Sequence, residues 1–493
     1  MAHGSTRLGL VGLCPRSRRL RRRTQGDGGM KGRCCQVVFL VSAFIAAGIL
    51  ALPCIGQDID WEAVETEAAT LLSESLRIDT SNPPGEELAA AHFWERVFRA
   101  AKLEPHVFET APGRGGVWVR LPGRTKKGAL LLLHHLDVVP ARPEEWKHPP
   151  FGGVQENGYV YGRGAVDAKG LGVVQALAVL LLHRHGAQPA RDVVFVATPD
   201  EEAGGKLGAG WFVEKLLPQL GPVAFVLNEG GHIRPTPSGE LAFEVAVAEK
   251  TPLWLRLTAH GKPGHGSTPP AETAVTKLVR ALARIVAAAP EVRVTEEVQR
   301  YFAALAPFQV GEQAKHFVDL RAALQNEPFR QQFLLEPRQS ALVQDTLAVT
   351  VIHAGQKTNV IPASATAELD CRLLPGSDPE SFVRRVVELV GDPTIQVETL
   401  LHFPPSASPT DTVLYQTIEA LARKEKGRAV PAVLTGFTDS HYFRERGIPS
   451  YGFAPFVLTE SDLQGMHGVD ERISRANLRE GTRRLVELIR ELP

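Results

Sequence analysis

A chain of 493 residues exceeds what one hydrophobic core supports, so two or more domains are expected, and a 44% hydrophobic content is ample to fill them. The formal charge is zero, but residues 1–56 hold nine basic side chains against one acid, Asp27, which leaves 46 basic and 54 acidic groups in the body. A body of net charge −8 excludes a protein that binds nucleic acid through a basic surface.

The first predicted element is a leader. A basic run from Arg16 to Arg23 precedes an apolar stretch from Val37 to Leu52, then Pro53 and small residues. That order is the order of an export signal, and the apolar run is slightly short for a membrane span. Cleavage between Ala51 and Gln57 and a secreted or periplasmic body are therefore expected, with an uncleaved N-terminal anchor as the alternative. Met30, followed by Lys31 and Arg33, would by itself open a compact signal peptide. Pro53 before Cys54 is a poor match to lipoprotein processing, so no lipid anchor is expected. Cys14, Cys34, Cys35 and Cys54 all lie in this leader, so Cys371 has no disulfide partner in the body.

In the body, apolar spacing predicts helices over Trp61–Leu76 and 86–101, with a loop at Ile78–Gly85 between them. Strands follow near 106–109, 116–121 and 129–136, then a long apolar helix from Lys169 to His185. Buried strands at 192–198 and 223–227 continue the alternation, which implies a largely parallel sheet flanked by helices. At about Glu249 the style changes. Strand 253–258, helix 271–288, a charged and weakly patterned helical stretch 290–345, paired strands 347–352 and 365–373, helix 381–390 and strand 395–400 read as α+β. Helix 412–426, strands 431–435 and 449–453 and helix 474–491 complete the first block. The expected division is a leader (1–56), a catalytic domain in two parts (57–248 and 403–493) and an inserted domain (249–402).

The chemistry gathers where strands end. His135 and Asp137 close the strand Leu131–Leu136, and residues at i and i+2 of an extended strand share a side, so the two can meet in one site. A ligating imidazole usually passes its other N–H to an acid or a carbonyl. Asp167 follows the turn Gly162-Arg163-Gly164, Asp200-Glu201-Glu202 follows strand 192–198, and Glu229 ends strand 223–227. Ligands of open α/β sheets collect outside the carboxyl ends of the strands, so His135, Asp167, Glu202 and Glu229 are expected on one rim. His467, in a turn before the last helix, adds a second imidazole. Two His and three carboxylates suit a pair of zinc ions, and two such ions about 3.5–4 Å apart can lower the pKa of water and stabilise an oxyanion.

In order along the body run His135-x-Asp137-x-Val139-Pro140, Gly162-Arg163-Gly164-x-x-Asp167-x-Lys169-Gly170, Asp200-Glu201-Glu202-x-Gly204, Gly264-His265-Gly266-Ser267-x-Pro269, Asn359-Val360-Ile361-Pro362 and His467-Gly468-Val469-x-Glu471-Arg472. This order closely resembles the di-zinc metallopeptidases that include aminoacylase, carboxypeptidase S, glutamate carboxypeptidase and succinyl-diaminopimelate desuccinylase. The resemblance implies an α/β zinc-peptidase catalytic domain with a mostly parallel sheet flanked by helices, interrupted by a smaller inserted α+β lid or dimerisation domain. It also implies that Asp167 bridges two Zn2+ ions, with His135 and Glu229 on one and Glu202 and His467 on the other, Co2+ or Mn2+ being the alternatives. By the same resemblance Glu201 is the general base, Asp137 orients His135, His265 stabilises the oxyanion, often from a partner subunit, and Asn359 and Arg372 hold a substrate carboxylate.

The sequence departs from that pattern in places. His134 stands where a small residue is usual, and strand alternation points it to the face opposite His135. The substrate-loop turn that begins at Gly436 carries a bulky Phe437, and the span from His265 to Asn359 is long, as in carboxypeptidase S and secreted N-acyl-amino-acid hydrolases. The reading is a hydrolase for an amide bond beside a free carboxylate in a small molecule or short peptide. A homodimer through the inserted domain fits the resemblance. A di- or tripeptidase is the runner-up, and a non-catalytic binding protein on the same scaffold is the reading from another class.

Overall fold

The computed structural model describes residues 59–493. The leader, with its signal-peptide and anchor alternatives, lies outside the described residues. Among the described residues no helix is long and apolar enough to cross a membrane.

Helix α1 (Trp61–Leu76) starts where the Asp60 carboxylate accepts the N–H groups of Glu62 and Ala63, each at 3.1 Å. Helix α2 (Glu87–Ala100) leads into the hairpin β1 (Pro105–Ala111) and β2 (Arg114–Leu121), turned at Gly113 with φ +75°. Next come β3 (Ala129–His135), α3 (Lys169–Arg184), β4 (Val193–Thr198), β5 (Val223–Asn228) and β6 (Leu241–Glu249). The chain then builds β7 (Thr251–His260), α4 (Ala274–Ala287), α5 (Glu296–Leu305), four short helices ending at Leu342, β8 (Thr346–Ala354), β9 (Ser364–Leu373), α6 (Pro379–Val390) and β10 (Gln396–His402). It returns through α7 (Val413–Lys424), β11 (Gly427–Leu434), β12 (Ser450–Gly452) and α8 (Arg475–Glu491).

The large sheet runs β1-β2-β4-β3-β5-β12-β6-β11. Its centre, β4-β3-β5-β12, is parallel, as the alternation of strand and helix requires. The β1–β2 flank is antiparallel because a two-residue turn joins its strands. Every residue of β3 is buried, and its parity sorts the core: Leu130 and Leu132 pack on one face with Phe195, Leu131 and Leu133 on the other with Val194 and Val196. From Lys169 to Leu182 every residue of α3 is buried, against the sheet on one side and α1 and α8 on the other. Buried Lys169 donates its Nζ protons to the carbonyls of Ser75 and Ile78 at 3.2 and 2.8 Å, closing the end of α1.

The second sheet, β8-β9-β7-β10, is antiparallel throughout and draws all its strands from residues 251–402. Strands 347–352 and 365–373 pair, with Leu347 opposite Cys371. Helices α4 and α6 cover one face with Leu278, Ile285 and Val386 on Leu253, Leu255 and Leu369. The weakly patterned stretch 290–345 behaves differently. Val298, Tyr301, Phe302, Phe317 and Phe333 join the core of the large sheet, with α5 against β11. Strand β6, absent from the predicted elements, is buried along most of its length, including Glu244 and Glu249.

Candidate metal centre and active site

Three parallel strands end together at one rim. His135 is the last residue of β3, Asp200, Glu201 and Glu202 lie just past the end of β4, and Glu229 follows β5. Asp167 enters from the turn before α3, and His467 from a turn before α8, where its φ is +55°. His135 Nε2 lies 3.0 Å from Asp167 Oδ1 and 3.4 Å from Glu229 Oε2. His467 Nε2 lies 3.2 Å from Asp167 Oδ2 and 3.3 Å from Glu202 Oε1. Two groups that could each hold a cation result, His135-Asp167-Glu229 and Asp167-Glu202-His467, with ligand atoms within 4.8 Å of one another and Asp167 in both. Glu201 joins His135 and Glu202 in a third such group.

The surrounding polar groups hold these side chains in place. Asp137 was expected to steer His135 through its carboxylate, but the nearer partner of His135 Nδ1 is the Asp137 main-chain carbonyl, at 2.9 Å against 3.6 Å for Oδ1. The Asp137 carboxylate accepts the N–H groups of Glu201 and Glu202, each at 3.1 Å, and the Asn82 side-chain amide at 2.9 Å. Glu471, wholly buried, accepts the N–H groups of Gly164, Val166 and Asp167 at 2.9, 2.8 and 3.1 Å and pairs with the Arg163 guanidinium at 2.8 Å. That carboxylate shapes the turn presenting Asp167.

The electrostatics ask for cations. Burial and the neighbouring Asp167 charge lift the Glu229 carboxyl to about 7, against the pull of His135. Burial and then Glu229 hold the Glu201 carboxyl well above its ordinary value. Hydrogen bonds to Asp167 and Glu202 push the His467 imidazole up to about 10. Burial opposes charge on His135, yet Glu229, Asp137 and Asp167 carry it well above the usual range. Glu202 Oε1 is buried, and His467 Nε2, 3.3 Å away, faces it without hydrogen-bond alignment. Imidazole nitrogens and carboxylate oxygens in this number fit a pair of divalent ions.

His134 takes the opposite face. It is buried against Trp94 and Phe195, and its Nδ1–H donates to Gln175 Oε1 at 3.1 Å. Gly172 makes room for it: a Cβ there would lie 2.3 Å from His134 Nε2. His265 pairs with Val360 on a two-strand ribbon that Asn359 immediately precedes; both are exposed, and no hydrogen bond or ion pair joins them to the carboxylate cluster. The Ser267 N–H and hydroxyl both lie against His265 Nδ1, at 3.1 and 2.7 Å, so this nitrogen accepts and the ring proton sits on Nε2. Arg372 bonds Asp370 through Nε and Nη2 at 2.6 and 3.0 Å and lies near the rings of Phe437 and Trp254. Gly436 is exposed next to Phe437.

Asn82 and buried Asp439, which accepts the Thr198 hydroxyl at 2.9 Å, were not among the predicted site residues. Their only sequence signal was position, in a Pro-rich loop and a glycine-led turn.

A mixed sheet whose parallel centre and neighbouring turns bring two imidazoles and four carboxylates to one rim, beside a separate antiparallel sheet, defines a metal-dependent hydrolase. Residues 131–491 match Peptidase family M20/M25/M40, and the chain belongs to that family. It is 34% identical over 362 residues to an N-fatty-acyl-amino acid synthase/hydrolase of Xenopus tropicalis, covering 70% of this chain and 69% of that one. With aminoacylase-1 of Homo sapiens it shares 29% identity over 419 residues, covering 84% and 92%. The solved M20 family metallo-carboxypeptidase Sso-CP2 from Sulfolobus solfataricus has the same fold, with a TM-score of 0.68 at 20% identity over 86% of this chain and 98% of that one.

Proposed function

We propose that the chain hydrolyses an amide bond beside a free carboxylate, as an N-acyl amino acid hydrolase or carboxypeptidase, with two zinc ions. The observation that carries this reading is Asp167, whose two oxygens lie 3.0 Å from His135 and 3.2 Å from His467 and so face both halves of the cluster. His135, Glu229 and Asp167 would hold one ion, and Glu202, His467 and Asp167 the other. Cobalt and manganese suit the same donors. When bound, such ions acidify water and polarise the scissile carbonyl.

Glu201, buried beside the cluster, takes a proton from the attacking water on a carboxylate oxygen and delivers it to the leaving amine nitrogen. Asp137 fixes where that carboxylate starts by holding the Glu201 and Glu202 N–H groups. Arg372, Asn359 and Gly436 bind the substrate's carboxylate end. Asp370 occupies Nε and Nη2 of Arg372, which leaves Nη1 for a substrate oxygen. His265 offers its Nε2–H to the carbonyl oxygen as charge develops there, from the second protomer of a homodimer formed through the inserted domain. The edge position of β8 and the exposure of Ile352 (57%), Val279 (58%) and Val286 (72%) in that domain support such a contact.

The catalytic domain comprises 57–248 and 403–493 and the insertion 249–402, within which 296–343 folds back onto the large sheet. The leader, 1–56, directs export. Zinc-loaded protein assayed on N-fatty-acyl and N-acetyl amino acids, blocked dipeptides and free dipeptides tests the reading. Turnover of substrates without a free amine supports it; turnover of free dipeptides alone makes the protein a dipeptidase, and turnover of none contradicts hydrolysis.

A further inference from the structure

One buried ion cluster lies outside the proposed metal shell and touches the segment carrying Glu201. Arg114, the first residue of β2, donates from Nε to Glu87 Oε2 at 2.5 Å and from Nη2 to both Glu87 Oε1 at 2.7 Å and Asp200 Oδ1 at 2.9 Å. Its Nη1 donates to the Pro84 carbonyl at 3.1 Å. The three side chains are 11%, 0% and 8% exposed for Arg114, Glu87 and Asp200. Both Arg114 and Glu87 precede residue 131, where the family match begins.

Asp200 is where this cluster meets the site. Its φ of +76° and ψ of 8° place it in the left-handed region, unfavourable for a residue with a Cβ, and this reverses the chain immediately before Glu201. The turn is tied on two sides. Asp200 Oδ2 accepts the Leu207 N–H at 2.9 Å and its carbonyl accepts the N–H groups of Ala203 and Gly205, while Glu201 and Glu202 donate theirs to Asp137. Among the described residues Arg114 is the cation paired with Asp200, and its planar fork meets both Glu87 oxygens through two nitrogens while still reaching Asp200, a geometry that the single nitrogen of an ammonium does not reproduce. Without it, Glu87 and Asp200 would be two buried anions sharing no counter-charge, and the Asp200 side chain would keep only the Leu207 N–H of its two anchors on the strained turn.

We propose that Arg114 is a positioning residue: by bridging Glu87 to Asp200 it fixes the turn that sets the Glu201 carboxylate against the metal cluster. The inference rests on the reading of Glu201 as the general base. Displacing such a group by an ångström can cost about a hundredfold in rate.

The test compares zinc-loaded wild type with Arg114→Met, Arg114→Lys and Glu87→Gln by kcat, KM, metal content, Tm and amide hydrogen exchange. For Arg114→Met the expected result is kcat at least ~10-fold lower, KM within ~2-fold, unchanged metal stoichiometry, and faster exchange over residues 200–207 with β3 unaffected. Arg114→Lys recovers part of kcat. Glu87→Gln keeps an acceptor for Arg114 but drops its anchoring charge, so kcat falls by roughly 3- to 10-fold; this variant decides the matter if Arg114→Met does not fold. Unchanged kcat and unchanged exchange, or a loss of kcat only in step with metal and Tm, would overturn the proposal. A wild type inactive on every amide refutes the proposed function instead, and the exchange measurement still reads whether Arg114 holds the turn.

Discussion

Asp137 lies under Glu201 and behind His135 at once: its carboxylate accepts the Glu201 N–H at 3.1 Å, and its carbonyl accepts from His135 Nδ1 at 2.9 Å. One residue thus holds a proposed metal ligand through the main chain and the proposed base through the side chain.

Because these roles use different atoms, they separate by mutation. Asp137→Asn keeps the carbonyl and presents an amide NH2 to one of the two N–H groups of Glu201 and Glu202. A fall in kcat of about 10- to 100-fold with two metals retained is expected, checked by steady-state kinetics alongside metal analysis. Loss of metal in proportion to kcat would mean that the carboxylate acts through a metal ligand, Glu202 or His135, rather than through Glu201.

Glu471→Gln should act through the metal. The carboxylate collects three N–H groups and a guanidinium in a wholly buried position, so the amide leaves donors facing donors and Arg163 without its counter-charge. A stability loss of about 3 kcal/mol and metal affinity about 10- to 100-fold weaker are expected. Thermal unfolding with and without zinc, together with a competition titration, reads both.

Burial, and then the neighbouring His135, press the His134 imidazole down to about 3 from 6.5. The folded state therefore keeps it neutral where the unfolded chain protonates it. Its contribution is present in full above pH 6.5 and is lost as pH falls from 6.5 toward 3, by about 1.4 kcal/mol per unit. Urea titrations of wild type and His134→Gln at pH 7 and pH 5 should show wild type losing roughly 2 kcal/mol more than the variant. Equal losses would place protonation elsewhere.

Buried apolar runs that stop abruptly at polar residues made β3, β4 and β5 legible, and with them the rim where His135, Glu202 and Glu229 meet. Strand parity likewise placed His134 in the core rather than the site. Strand β6 is not legible in the sequence because Glu244 interrupts its apolar run and Glu249 ends it; both are buried with partners, Glu244 with Arg234 and Tyr301, Glu249 with Thr438 and Arg444. The aromatic residues of 290–345 are spread over several short helices, so no single periodicity shows that they join the large core. Asp200 belongs to the motif Asp200-Glu201-Glu202, but Arg114 and Glu87 lie in none, and only the tertiary fold brings positions 27 and 86 residues apart into one buried cluster. The division of labour within Asp137 depends on carbonyl direction at a strand end, which residue type does not encode.

The central claim is that Glu201 moves the proton while other residues hold the metal. Zinc-loaded Glu201→Gln, assayed on an N-acyl amino acid with metal content measured on the same sample, tests it most directly. The account predicts two metals per chain and kcat lower by about 10²- to 10⁴-fold; turnover close to wild type with both metals in place would contradict it.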